Sequence, residues 1–337
     1  MGSASKLEQE GEQMVDLIFT VISLIVIVPL ALFLGVIYSY LLRKLSARFQ
    51  WRVGPMLRMY GDLKPLLGTT RLLQPLYDIL KLYGKETIVP DVSRRRLFVY
   101  SPYLSLFFAV AAIFFIPFPG MPLLSWVPYS LIIASYLLIA SILFTILGPV
   151  ASGSPWAAIG ARREVELFLV SELGFVLSLF AVAIARQSLV IWEISSGGQS
   201  LYLALLTVTA GALMFVAMLG KLHIKPFDMP EAEAEIVAGP YTEYSGKLLG
   251  TYYLTKVFLL YGLVALFISL FLPPIATDVL WLPLYIVAAV VLVFLLTSVQ
   301  VLNPRYRIRN AINWYLKVAI PLGVLNFIIA LAIWLVV

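Results

Sequence analysis

Eight runs of about twenty predominantly apolar residues recur along this chain, and they limit its fold more than any other feature. They lie at roughly 15–42, 98–118, 127–149, 165–185, 200–220, 248–272, 279–300 and 316–337. A helix needs ~20 apolar residues to cross a hydrocarbon core. Lipid offers no partner to unpaired backbone N–H and C=O groups, so runs of this length read as spanning helices. Composition agrees. The chain is 61% hydrophobic and 12% charged, against roughly 25% charged residues in ordinary soluble domains. The expected fold class is an all-α integral membrane protein with eight transmembrane helices. Neither an internal repeat nor a matched pair of broken helices is visible, which argues against a self-contained secondary transporter.

Lysine and arginine set the orientation. The 43–97 loop is rich in both, from Arg43 and Lys44 to Arg94, Arg95 and Arg96. Arg162 and Arg163, then Lys221, Lys225 and Lys247, then Arg305, Arg307 and Arg309 mark the other odd-numbered loops, while the even ones hold only Arg186. The positive-inside rule places the odd loops in the cytoplasm and both termini outside, in a multi-pass protein of the cytoplasmic membrane. The basic residues behind the net charge of +6 cluster in these loops, so it is not the footprint of a nucleic-acid binder. Residues 1–13 form a polar tail excluded from the fold, and 14–337 read as a single polytopic domain. The apolar run after Met14 is too long for a cleavable signal peptide.

Two cytoplasmic loops carry more than a connection needs. In the 43–97 loop, Leu72, Leu73, Leu76, Ile79, Leu80 and Tyr83 follow helical spacing, with Gln74, Asp78, Lys81 and Lys85 on other faces. This predicts an amphipathic helix in the membrane interface, with Pro75 near its start. It reads as a surface anchor or as a strap that also docks a soluble partner.

The 223–247 loop gathers Asp228, Glu231, Glu233, Glu235 and Glu243, five carboxylates from a chain with only 18 acids. Pro226, Pro230 and Pro240 stiffen it. A helix over 231–237 would put Glu231 and Glu235 on one face, where like charges repel. The loop is either a solvated connection or a proton-handling site.

Acids and bases continue into the apolar runs. Arg162-Arg163-Glu164-Val165-Glu166 opens the fourth span, and Glu172 falls ~13 Å beyond Arg163. Lys256 lies ~15 Å into the sixth span and is the natural partner for Glu172 by depth. Ionisable groups at such depth are costly and mark ion pathways or static bridges. Glu164 and Glu166 either link the acidic loop to Glu172 or are neutralised by Arg162 and Arg163. His223 reads as a surface or hydrogen-bonding residue. Tyr241 and Tyr244 read as donors or as packing. Cysteine is absent and histidine occurs once, so the usual ligand sets for metals and iron–sulfur clusters are missing. Any redox cofactor is expected on a partner.

Three motifs carry a resemblance. They are Arg52-Val53-Gly54-Pro55, the L-L-Q-P-x-x-D-x-x-K-L pattern of Leu72 to Leu82, and the run P-F-D…E-x-E-x-E-I-V-A-G…E-Y-S-G from Pro226 to Gly246. Together they resemble the subunit 1 family of NADH-quinone oxidoreductase, over about Leu41 to Arg309. Quinone-reducing members carry a second R-x-G-P block where this chain has Met56 to Thr70. That difference, and the form of the acidic loop, are more similar to the counterpart subunit of archaeal membrane-bound [NiFe] hydrogenases and sulfane sulfur reductases.

The resemblance implies a non-catalytic membrane subunit of a ferredoxin-dependent redox pump. It implies soluble [NiFe]-hydrogenase-like and iron–sulfur subunits as partners, with antiporter-like and small membrane subunits beside it. Arg52, Gln74, Asp78, Lys81 and Tyr244 are the expected docking residues. Asp228, Glu231, Glu233, Glu235, Glu243, Glu164, Glu166, Glu172 and Lys256 are the expected proton pathway. The other reading of the resemblance is a quinone-chamber subunit.

Overall fold

In the computed structural model, residues 2–52, 54, 71–198 and 201–336 are described, with side chains for all of these except 2–18, 71, 201, 233, 234 and 336. The 56–70 stretch that differs from the quinone-reducing pattern lies outside the described residues. Among the described residues twelve α-helices follow one another: α1 (Gly2–Phe49), α2 (Gln74–Tyr83), α3 (Arg95–Ile113), α4 (Ser130–Val150), α5 (Pro155–Arg186), α6 (Ile191–Ser196), α7 (Leu201–Lys221), α8 (Glu233–Ile236), α9 (Gly246–Phe271), α10 (Leu282–Leu302), α11 (Ile308–Trp314) and α12 (Ile320–Val336). Among the described residues, eight helical segments are long and apolar enough to span a membrane. They are α1 from Phe19 onward, α3, α4, α5, α7, α9, α10, and α11 continued into α12 through a π-helical turn at Tyr315–Ala319.

The eight spans match the apolar runs, with one offset that matters. The fourth was expected from residue 165 but α5 begins at Pro155. Ser154 is extended and Pro155 occupies the first turn, where its fixed φ suits a helix start. Arg162, Arg163 and Glu164 depress local hydropathy and hide this part of the helix from a hydropathy reading. At 32 residues α5 is ~48 Å long, well beyond the thickness of a hydrocarbon core. Its first turns therefore stand free of the apolar layer and offer a surface for the acidic loop.

The central helix is α9. It is buried along most of its length and packs against α1, α2, α3, α7 and α10. By contrast α10 turns Val287, Val291, Phe294 and Leu295 outward, which suits contact with lipid. The short helix α2 occupies Gln74–Tyr83 within the 43–97 loop. It buries Ile79 with Val36 of α1 and Val257 of α9, so apolar packing ties it to the bundle.

Three connections meet at one end of the bundle. The Ile88 amide donates to Ser245 Oγ at 2.9 Å and the Lys247 amide to Thr87 Oγ1 at 3.2 Å. The Tyr306 amide donates to the Pro226 carbonyl at 3.0 Å. Arg305 grips Asp228 through Nε and Nη2, both at 2.7 Å. The acidic loop then lies directly on α5. A Cβ at Gly160 would stand 2.7 Å from the backbone of Gly239 and Pro240, so only glycine allows that approach.

A continuous helix over 231–237, the condition for Glu231 and Glu235 to share a face, does not form. Met229–Glu231 is a 3₁₀ turn and α8 is a single turn of four residues. Between them Ala232 leaves the helical region at ψ 86, and Val237 closes α8 at φ 59. The break matters because it sends Glu231 and Glu235 to different partners instead of one shared face.

Candidate functional site

The site is assembled by the end of α7. After Lys221 and Leu222 the chain reverses at His223, whose φ is 50. The Ile224 amide closes this end on the Leu219 carbonyl at 2.9 Å. Glycine or asparagine usually occupies such a left-handed cap, and another residue costs about 1–2 kcal/mol there. The reversal brings the imidazole between α5 and the acidic loop.

Four titratable groups then form a chain. Glu164 of α5 is buried, with 1% of its side chain exposed, and accepts a hydrogen bond from Thr145 Oγ1 at 3.1 Å. His223 Nε2 stands 3.7 Å from Glu164 Oε1, and His223 Nδ1 lies 2.7 Å from Glu231 Oε1. Lys256 Nζ donates to the same Glu231 oxygen at 2.6 Å. The ammonium also sits 4.7 Å above the ring of Tyr241. A cavity of about 510 Å³ opens beside this chain, walled by Glu164, His223, Tyr241 and Lys256 on one side and by Asp78, Ile79 and Lys81 of α2 on the other. Glu164 Oε2 is buried with no hydrogen-bond donor among the described protein atoms.

The Glu172–Lys256 pair expected from depth is not formed. Lys256 reaches outward to Glu231, and Glu172 pairs with Lys221, the last residue of α7. Glu172 is therefore level with the C-terminal end of α7. The Lys221 side chain is wholly buried and its ammonium lies 4.0 Å from the Phe175 ring centroid.

The other acids are held by arginines. Asp228 is gripped by Arg305, Glu235 by Arg163 at 2.6 Å, and Glu166 by Arg162 at 3.1 Å on an exposed face. The Asp228 and Glu235 pairs pin the loop, the Glu166 pair lies within α5, and none of the three joins the Glu164–Glu231 chain. Glu243 is half-buried ahead of α9. The Glu233 side chain lies outside the described residues.

Among the expected docking residues, Asp78 pairs with Arg43 at 2.7 Å, Lys81 faces the cavity, and Arg52 bonds Gln50. Gln74 opens α2, its Oε1 buried without a donor among the described atoms. Tyr244 points inward instead. It stacks on Phe98 with centroids 4.1 Å apart and donates to the Phe98 carbonyl at 3.1 Å. Sequence reasoning missed Lys221 and Arg305 as partners and gave His223 a minor place. The available signal was their position, since Lys221 and His223 directly precede the acidic loop.

Electrostatics polarise the chain. Burial alone would lower the pKa of His223, but the hydrogen bond to Glu231 and the charges of Glu164 and Glu231 outweigh it, and the net shift is upward. Burial alone would raise Glu231. The Lys256 ammonium, then His223, dominate and hold it below the ordinary carboxylate range. Burial, with Glu231 and Glu164 nearby, keeps the Tyr241 phenol protonated.

The signs give a pH window. The stability from Glu231 is present above the unfolded carboxylate pKa and is lost as pH falls through its depressed folded value. The stability from His223 is present below the unfolded value of ~6.5 and is lost as pH rises through its raised folded value. Loosening near neutral pH is therefore expected on the alkaline side. Amide exchange of residues 229–241, corrected for intrinsic rates and followed from pH ~5 to ~9, should show protection falling at the alkaline end. Protection that stays flat across that range would contradict the assignment.

Eight segments among the described residues that are long and apolar enough to cross a membrane, gathering a partly buried acid–imidazole–acid–amine chain at one end, define a multi-pass membrane protein with an internal charge network. The chain belongs to the NADH dehydrogenase family, whose profile matches residues 21–331. It is 31% identical to a subunit of the NADH-quinone oxidoreductase of Syntrophotalea carbinolica, over 95% of this chain and 98% of the relative. It is 33% identical to the corresponding subunit from Thermomicrobium roseum, over 84% of this chain and 86% of that one. Among solved structures it is similar to a chain of the membrane-bound sulfane sulfur reductase, an archaeal respiratory membrane complex. The TM-score there is 0.79 at 25% identity, covering 92% of this chain and 99% of the other.

Proposed function

We propose that this chain is the membrane subunit of a multi-subunit, redox-driven ion pump, anchoring a soluble redox arm and coupling it to proton movement. The observation that carries the reading is the Glu164–His223–Glu231–Lys256 chain beside a cavity, at the end of the bundle where three connections gather. Groups that share protons there can answer a charge or shape change in a docked partner. The redox centres, [NiFe] or iron–sulfur, belong to soluble partners, and antiporter-like subunits take the ion onward through the membrane. The likeness to a sulfane sulfur reductase chain over nearly its whole length supports a sulfur reductase or its hydrogenase counterpart, driven by ferredoxin in this reading, and the lysine and arginine pattern supports the cytoplasmic membrane with both termini outside.

A second reading has its own support. The cavity of about 510 Å³ is within the range of small-molecule sites, and the curated relatives are quinone oxidoreductase subunits, so a quinone chamber is the alternative. Purification of the complex in mild detergent, with mass spectrometry of its subunits, is the direct test. Iron–sulfur partners and sulfur- or proton-reducing turnover from a ferredoxin donor are expected. Turnover with a short-chain quinone would favour the second reading. Ion uptake by the chain alone in liposomes would overturn both in favour of a stand-alone transporter.

A further inference from the structure

His223 has more contacts than a cap or a charge partner requires. As a cap it is a poor choice, since glycine or asparagine takes the left-handed conformation at lower cost. As a counter-ion to Glu231 it is redundant, because Lys256 already holds the same oxygen at 2.6 Å. What an imidazole adds is a second ring nitrogen. One faces Glu231 at 2.7 Å and the other faces the buried Glu164 at 3.7 Å.

We infer that His223 is the proton-relay group between Glu231 in the acidic loop and Glu164 inside the bundle. The inference rests on the coupling function proposed above and assigns its central step to one side chain. Start with the Nδ1 proton donated to the Glu231 carboxylate and the Nε2 lone pair toward a protonated Glu164. Glu164 releases its proton to Nε2 and becomes a carboxylate. The imidazolium then releases the Nδ1 proton to Glu231. One proton has left Glu164, one has reached Glu231, and the ring is neutral again. Rotation of the ring resets it for the next proton, whereas the reverse sequence would return the first one to Glu164.

The two contacts are unequal, and that gives the relay a gate. The Glu231 side is within hydrogen-bond distance, while 3.7 Å on the Glu164 side is too long for one. Transfer there needs the imidazole and α5 to approach, or a water between them. The cavity lies beside both groups. The titratable groups acting on His223 are Glu164 from α5, Glu231 from the 229–231 turn and Lys256 from α9. Among these Lys256 sets the direction. Drawn close, it makes Glu231 a weak proton acceptor; drawn away, it lets Glu231 take the proton.

The test uses the intact complex in sealed vesicles. His223→Asn keeps a residue that tolerates the left-handed cap and removes the titration. His223→Gly relieves the cap entirely and leaves room at the cavity wall for free imidazole. Glu164→Gln serves as the reference. Both His223 variants should assemble and keep redox turnover with an artificial acceptor. Redox-driven proton uptake should fall at least ~10-fold, given the usual 10²–10⁴ contribution of a positioned acid–base group. Added imidazole should restore uptake in the glycine variant and not in Glu164→Gln. Normal uptake in both His223 variants, with Glu164→Gln blocked, would overturn the relay and leave the coupling reading standing. Normal uptake in all three would overturn both. Loss of assembly in both His223 variants, or loss of uptake that imidazole does not restore, would make His223 a structural contact and overturn the relay.

Discussion

Glu164→Gln is expected to abolish redox-driven ion uptake while the complex still assembles and still turns over its soluble substrates. Of the acids in the central chain, Glu164 is the one with almost no solvent contact, at 1% exposure. One oxygen accepts from Thr145 and approaches His223, and the other finds no donor among the described atoms. A carboxyl kept in that state is poised to exchange a proton, since solvent does not fix its charge. Glutamine matches it in size and can still accept from Thr145, so no void opens and α5 keeps its packing against the acidic loop. Only the titration is lost. A positioned acid–base group is worth ~10²–10⁴ in rate, so uptake should fall by at least ~10²-fold. Vesicle uptake and turnover with an artificial acceptor, measured on the same preparation, decide it. Uptake that survives at wild-type rate per turnover would remove Glu164 from the pathway.

The spans were legible in sequence because lipid imposes a length and a polarity on each of them. The pairing of charges was not. Depth counted along separate helices suggested Glu172 with Lys256, yet depth fixes neither the azimuth of a side chain nor the true start of a helix. Ten residues of α5 were hidden by Arg162, Arg163 and Glu164, and the side chain of Glu172 turns to Lys221 at the end of α7 instead of to Lys256. The grip of Arg305 on Asp228 joins residues 77 apart in the chain, and no local pattern announces it. The acidic loop was recognisable by its five carboxylates, but composition treats them alike. Only the fold separates Asp228 and Glu235, paired with Arg305 and Arg163, from Glu231, which meets His223 and Lys256.

Glu172→Gln has a different expected outcome from Glu164→Gln: the subunit should be destabilised and the complex should fail to accumulate. The reason is the environment of its partner. Lys221 has no exposed side-chain surface, and its ammonium rests against the rings of Phe175 and Phe168. With Glu172 in place the charge is compensated. With glutamine it keeps a dipole and loses the counter-charge, and there is no solvent to turn to. Breaking a buried pair from one side typically costs about 3–5 kcal/mol, a factor of ~10²–10³ or more in the folded population. The cost comes from the stranded amine, so removing it should recover most of the loss. Lys221→Met with Glu172→Leu replaces the pair by apolar groups of similar length, and such exchanges are often neutral or better. The double variant should therefore assemble where Glu172→Gln does not. Lys221→Met alone should be milder, because the Glu172 side chain keeps 15% of its surface exposed and solvent can still reach it. Native gels of membrane extracts and thermal unfolding of the purified subunit give the ranking. A Glu172→Gln variant that assembles at wild-type yield but loses ion uptake would reverse the assignment, placing Glu172 in the proton pathway and not in a static bridge.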